Sequence, residues 1–292
     1  MAATTKLAGN SSSSRLSTAH TLTALIIVPA AVAAAGGLLI PGLYRDHPAL
    51  VPVLQGQDLV TLIALPVLLF SLLVARRGSA RGTIAWIGLL GYMLYTYTGA
   101  AFAYSFNHFL PIYIALFSMA AFALVAAVSS IDAAALKGRF DAAAPRRPVA
   151  AFLVLIAAML GPAELSQIIP FYTSGALPGP MVKYQSTTFF VYTLDLGMVV
   201  PLSVLAAVWL WRGSAWGFVL AGCMLIKGAT MGFALLSMEG FALRAGYGTD
   251  GLEGLWAVIA FGCLGMALWF LRHCRDQHRD EEVRGSRDED RA

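Results

Sequence analysis

Between residues 21 and 274 the chain returns again and again to apolar runs of about 20 residues, each closed by a short polar or glycine-containing turn. A bilayer core of about 30 Å is crossed by about 20 mostly apolar residues in a helix, so each run predicts a membrane span. Eight stretches qualify: 21–44, 58–75, 82–105, 109–131, 149–171, 188–211, 214–238 and 251–274. The fifth is interrupted by Gly161-Pro162, which membrane helices tolerate when neighbours re-satisfy the freed backbone group. Composition agrees: 58% of residues are hydrophobic and only 12% charged, about half the charged share of a soluble domain. The fold class predicted is all-α, a polytopic membrane protein of eight transmembrane helices.

The basic residues give an orientation. All but four of the twenty lysines and arginines fall in the termini or in the turns after the second, fourth and sixth spans. Arg45, Lys183 and Arg244 lie on the other side, and Lys227 lies inside a span. Lysine and arginine collect on the cytoplasmic side, so both termini are expected in the cytoplasm and the chain in the cell membrane. Residues 1–20 are Ser-rich and 275–292 charged throughout, and both read as disordered tails. Lys6, Arg15 and the apolar stretch after them also imitate a cleaved signal peptide, which would leave seven spans with the same orientation.

A spacing recurs. Pro66 is followed after eleven residues by Gly78-Ser79-Ala80-Arg81-Gly82, and Pro201 after eleven by Gly213-Ser214-Ala215-Trp216-Gly217. Asp58 and Asp195 lie upstream of the two prolines, and Ile40-Pro41 with Tyr44 answers Ile169-Pro170 with Tyr172. The expectation is two tandem four-helix halves, residues 21–131 and 149–274, joined by a cytoplasmic linker over 132–148. Parallel repeats of this kind occur in transporters, with sites between the halves. Gly-Ser-Ala turns and helix-end prolines are also common individually.

"AGCMLIKGATMGFALL", residues 221–236, places Lys227 at the centre of a span. Charge in hydrocarbon costs from about 3 kcal/mol upward at a helix centre, and such groups face the bundle interior and pair. At 1.5 Å per residue, Asp195 lies about 10 Å and Lys227 about 16 Å below the outer surface. Their helices are joined by a tight turn and should be antiparallel neighbours, so an Asp195–Lys227 pair is expected.

Other polar groups cluster at that depth. Thr188, Tyr192 and Asp195 are spaced i, i+4, i+7 on one helical face. Lys227 shares a face with Thr230 and Cys223; Glu164 and Gln167, like Tyr92 and Tyr95, are three apart. Gln57, Asp58 and Thr61 lie at the outer end of the second span, and Asn107 and His108 after the third. The expected site is an outward-opening polar cavity with Lys227 at its floor, built from Asp195, Lys227, Glu164, Tyr95, Tyr92, Thr230, Tyr192, Gln167 and Asp58. The tyrosines also fit ordinary helix packing with satisfied hydroxyls, and Asp58 a cap at the water boundary.

No nucleotide, metalloprotease or serine-hydrolase motif occurs in a suitable context, and the three cysteines show no metal spacing. No catalytic residue, metal or cofactor is expected, and no nucleic-acid partner. A lysine in a seventh helix resembles retinal proteins, but Cys223 stands where the microbial rhodopsins carry an acid and the third span has no arginine. The segment "QGQDLVTLIALPVLLFSLLVARRGS" resembles uncharacterised bacterial multi-pass integral membrane proteins. That resemblance covers the second and third spans and implies no activity. The function expected is transport of a small cationic or hydrogen-bonding solute, or of an ion, coupled to protons. Alternatives are a receptor or assembly partner using the same cavity, and an intramembrane enzyme using Lys227.

Overall fold

The computed structural model describes residues 2–187 and 189–275, with side chains from residue 14 onward. Thr188 and residues 276–292 of the charged segment expected as a C-terminal tail lie outside the described residues. The described residues form helices joined by short turns, with one isolated antiparallel bridge between Phe140 and Cys274. Helix α1 spans Ala2–Leu39, so it begins well before the expected start at residue 21. It is followed by α2 (Val51–Arg76), α3 (Ala80–Phe102), α4 (Leu110–Ser130) and the short α5 (Ala133–Lys137). Then come α6 (Arg146–Ser174), the short α7 (Gly179–Tyr184), α8 (Phe190–Trp211), α9 (Ala215–Arg244) and α10 (Glu253–Arg272).

Among the described residues, seven helices are long and apolar enough to cross a membrane: α1 over Ser14–Leu39, α2, α4, α6, α8, α9 and α10. The protein is a polytopic helical membrane protein. The remaining long helix, α3, corresponds to the third expected span but is not one of the seven. Its sequence carries Tyr92, Tyr95, Tyr97, Thr96 and Thr98 together with glycines. They are tolerated because α3 is more enclosed than α1, α2 or α4, packed between α2, α4 and α9.

Apolar side chains also cover the outside. Val28, Phe70, Phe122 and Phe261 are each more than 60% exposed, as lipid-facing residues would be. Two packed cores lie within. One joins α1–α4, the other α6, α8 and α10, and α9 contributes to both: Val219, Cys223 and Ala234 to the first, Phe218, Leu225 and Ala229 to the second. Helix association in lipid depends on close van der Waals packing and small residues. Gly88 lies against Cys223 and Ile226, and Gly222 against Ile84, so α3 and α9 cross closely.

The two Gly-Ser-Ala turns have the same geometry. Gly78 and Gly213 adopt φ of +84° and +70°, the left-handed conformation that ends helices at little cost in glycine. In the first turn Gly78 N donates to Ala75 O and Ser79 N to Val74 O; in the second Gly213 N donates to Leu210 O and Ser214 N to Trp209 O. The second glycine of each motif is there for contact: a Cβ on Gly82 would meet the backbone of Ala75, and one on Gly217 the backbone of Leu210. The segment between α4 and α6 is tied to its neighbours by hydrogen bonds. Arg275 N donates to Arg139 O at 2.8 Å, Asp141 N to His273 O at 3.0 Å, and Lys137 Nζ to Gly213 O at 2.7 Å.

A buried polar network ties α2 to α3. Gln57 Nε2 donates to Tyr92 OH at 2.8 Å and to Thr96 Oγ1 at 3.0 Å, and Thr61 Oγ1 lies 3.0 Å from the same Tyr92 hydroxyl. Replacing Gln57 with leucine strips one partner from each of two buried hydroxyls. The loss should destabilise the protein by about 1–3 kcal/mol, read as a lowered thermal midpoint in detergent. A matched Leu54→Met substitution should leave that midpoint nearly unchanged.

Candidate functional site

The site grows from a break in helix geometry. Residues Asp195–Val199 of α8 form a π-helical segment, and so do Val258–Gly262 of α10. Such single-turn bulges concentrate at functional sites, because they re-aim side chains within an otherwise continuous helix. Asp195 begins the first bulge and turns inward, where it is 8% exposed.

Tyr95 of α3 donates its hydroxyl to Asp195 Oδ1 at 3.0 Å. Lys227, in the middle of α9, places Nζ 4.2 Å from the centroid of the same tyrosine ring. The ring's negative face attracts the ammonium, an interaction worth up to about 2 kcal/mol when desolvated. Lys227 too is 8% exposed, and its stem lies against Gly91 of α3. The expected Asp195–Lys227 ion pair does not form among the described residues. The two groups remain in electrostatic range, but Tyr95 stands as intermediary, with its hydroxyl on one and its ring on the other. α3 approaches α8 closely here because Gly99 leaves room for the Phe190 ring, which also lies 6.3 Å from that of Tyr95.

Glu164 of α6 is 7% exposed and within electrostatic range of Asp195. Cys263, just after the second π-helical segment, is within range of Lys227. One lysine and two carboxyls from three helices, with a tyrosine from a fourth, thus converge at one level. The arrangement can hold a cation–π contact and exchange hydrogen bonds at Asp195.

The remaining expected residues divide differently. Tyr92 turns to Gln57 and Thr61, away from Lys227. Positions three apart on a helix differ by about 60° in direction, enough to send Tyr92 and Tyr95 to different partners. Thr230 donates to Ile226 O of its own helix at 2.9 Å, so its hydroxyl proton is committed there. Asp58 belongs to a second polar group, near the N-terminal end of α2, where Tyr44 OH donates to Asp58 Oδ2 at 2.6 Å. Burial, with the Asp58 charge beside it, pushes the Tyr44 phenol well above its ordinary value, so it stays a donor. Gln167 is half-buried near Gly179, and the Tyr192 hydroxyl is buried without a hydrogen-bond partner among the described residues.

The expected outward-opening hollow is closed in this structure: Lys227, Asp195 and Glu164 are all enclosed. Two surface concavities lie instead at the arginine-rich end, one of about 370 Å³ between α1 and α2 and one of about 400 Å³ between α6 and α8, and neither includes Asp195 or Lys227. Sequence reading missed the intermediary role of Tyr95, the Phe190 contact and the Tyr44–Asp58 bond. Gly99 offered a partial signal, a small residue one turn after Tyr95.

Comparison with protein-family models, with curated proteins and with solved structures finds no match.

Proposed function

We propose that this protein is a proton-coupled transporter of a small cationic or hydrogen-bonding solute, with Asp195, Lys227, Glu164 and Tyr95 as its central site. The observation that carries the reading is the placement of Lys227. A buried ammonium rests on Tyr95 while that tyrosine holds Asp195, and no direct ion pair locks the two charges together. Intramembrane ionisable groups mark ion and substrate pathways. A guest that displaces Tyr95 from Asp195 would change the surroundings of both charges at once, which is how guest binding and proton transfer become linked. The enclosed site corresponds to the stage at which neither side of the membrane has access.

In this reading α3 crosses the membrane as the eighth span, being 23 residues long and enclosed by helices rather than by lipid. The halves 21–131 and 149–274 are tandem repeats sharing the turn geometry of Gly78 and Gly213. Both termini lie in the cytoplasm, on the side of the arginines, and the membrane is the cell membrane.

The test is proton movement. Protein reconstituted in liposomes with a trapped pH dye is given a series of small organic amines and polyols from outside. At least one should shift the internal pH with wild-type protein, and Asp195→Asn should abolish that shift. Binding of such a solute without any pH change or solute uptake would replace transport with a receptor function.

A further inference from the structure

The concavity between α1 and α2 has a lining that mixes apolar and hydrogen-bonding side chains. Leu16, Ser17, His20, Thr21 and Ala24 come from α1, and Arg76 from the last turn of α2. Leu16 and Ala24 supply apolar surface. Ser17, His20 and Arg76 supply hydrogen-bond donors, whereas Thr21 has given its hydroxyl proton to Ser17 O at 3.0 Å. Among the described residues Arg76 has no carboxylate partner and no side-chain hydrogen bond, so its guanidinium is free for an external acceptor.

The donors are held in place. The His20 ring packs on Trp86, with centroids 5.0 Å apart. Trp86 is fixed in turn by donation of Nε1 to Thr23 Oγ1 at 3.0 Å, and Thr23 by its own bond to Ala19 O at 2.8 Å. The imidazole therefore has a fixed wall behind it and Arg76 within electrostatic range in front. The corresponding groove in the second half, between α6 and α8, is lined by Ala150, Ala151, Val154, Ala207, Val208 and Trp211, with Arg212 at its rim. That groove carries Arg212 with no histidine or hydroxyl side chain beside it.

We infer that the α1–α2 concavity binds the phosphate of an anionic membrane phospholipid, with Arg76, His20 and Ser17 as donors. Its place decides the source of the phosphate. Arg76 is the last residue of an apolar span, so the donors lie at the level of the lipid headgroups, and Leu16 and Ala24 offer apolar contact beside them. Basic pockets between helices at this boundary fit anionic headgroups, and the planar guanidinium fits phosphate oxygens two at a time.

The test uses the full chain in detergent, native mass spectrometry, and phosphatidylglycerol, phosphatidylcholine and inorganic phosphate as probes. Wild-type protein should retain phosphatidylglycerol in preference to phosphatidylcholine, and Arg76→Gln should weaken that retention by about tenfold. Arg77→Gln removes the same charge one residue away, outside the lining, and should change retention little. Ser17→Ala should give an intermediate loss. Unchanged thermal midpoints would show each variant folded, as expected for these exposed positions. Equal losses for Arg76→Gln and Arg77→Gln would reduce the effect to general surface charge and overturn the site. So would equal retention of the two lipids, or displacement of phosphatidylglycerol by inorganic phosphate at matched concentration. The last result would assign the donors to a soluble phosphate.

Discussion

Replacing Lys227 with methionine should abolish solute-driven proton movement while the protein still folds. The two effects separate because they have different origins. Methionine keeps an unbranched stem against Gly91 and removes an ammonium whose burial is unfavourable. Replacing both members of a buried charge pair by packed hydrophobes is often neutral or stabilising, whereas removing one leaves the other uncompensated. Asp195 has the Tyr95 hydroxyl as a hydrogen-bond donor and can neutralise itself by taking up a proton, which limits the loss. Function, by contrast, loses the charge whose position responds to the guest. A fall of about 100-fold in flux, equivalent to about 2.7 kcal/mol, is the expected scale.

Asp195→Asn should behave differently in stability. It removes the negative group in range of Lys227 and leaves a buried ammonium with only the Tyr95 face for compensation, a loss of about 3 kcal/mol or more. Tyr95→Phe separates the roles further: the ring remains for Lys227, the hydroxyl for Asp195 is gone, and stability should fall by about 1–2 kcal/mol. Flux and thermal midpoint measured together on the three variants decide the matter. If Lys227→Met loses flux only in proportion to lost folded protein, the lysine is a packing element and the transport reading fails.

The helices pack unevenly around the site. α1 runs along α4 in extended contact, whereas α6 and α10 meet sparsely, Phe152 lying against Gly262. Both π-helical segments, and three of the four groups at the site, belong to α6, α8, α9 and α10. Helices α1–α4 are regular and bonded to one another through Gln57 with Tyr92, and Tyr44 after α1 bonds Asp58 of α2. If the proposed transport reading holds, the sparser contacts beside the charges are where a rocking or gating motion would act.

Much of this was legible from residue order. Long apolar runs predict helices because hydrocarbon leaves the backbone no other partner, and Gly78 and Gly213 announce turns because only glycine enters that conformation cheaply. The π-helical segments were not legible: nothing in "DLGMV" or "VIAFG" distinguishes them from ordinary helix, and their register is set by what packs around them. Partner choice was also hidden. Gln57 and Asp58 are adjacent, yet about 100° of helical rotation sends one to Tyr92 and the other to Tyr44. Depth placed Asp195 and Lys227 at neighbouring levels, but depth alone could not show that Tyr95 would stand between them.

Substituting Gly56 with leucine should prevent the protein from reaching its folded state. A Cβ at this position of α2 would lie 2.5 Å from Met238 Cα and 2.6 Å from Met238 N of α9. The obstacle is backbone, so no rotamer change relieves it, and the helices must part. Overpacking costs about 1–3 kcal/mol even where side chains can shift; separation of two helices in contact along their lengths exceeds that. The consequence reaches beyond one contact because α9 is shared by both cores and carries Lys227. Gly56→Ala should already lower the thermal midpoint, and Gly56→Leu should yield little monodisperse protein. Gly240 is the control. It lies on the same helix, exposed, with no described atom within 4 Å of a built Cβ, so Gly240→Ala should be neutral or stabilising by up to about 1 kcal/mol. If Gly56→Leu purified and melted like Gly240→Ala, α2 and α9 could not be in backbone contact, and the junction of the two packed cores at α9 would have to be redrawn.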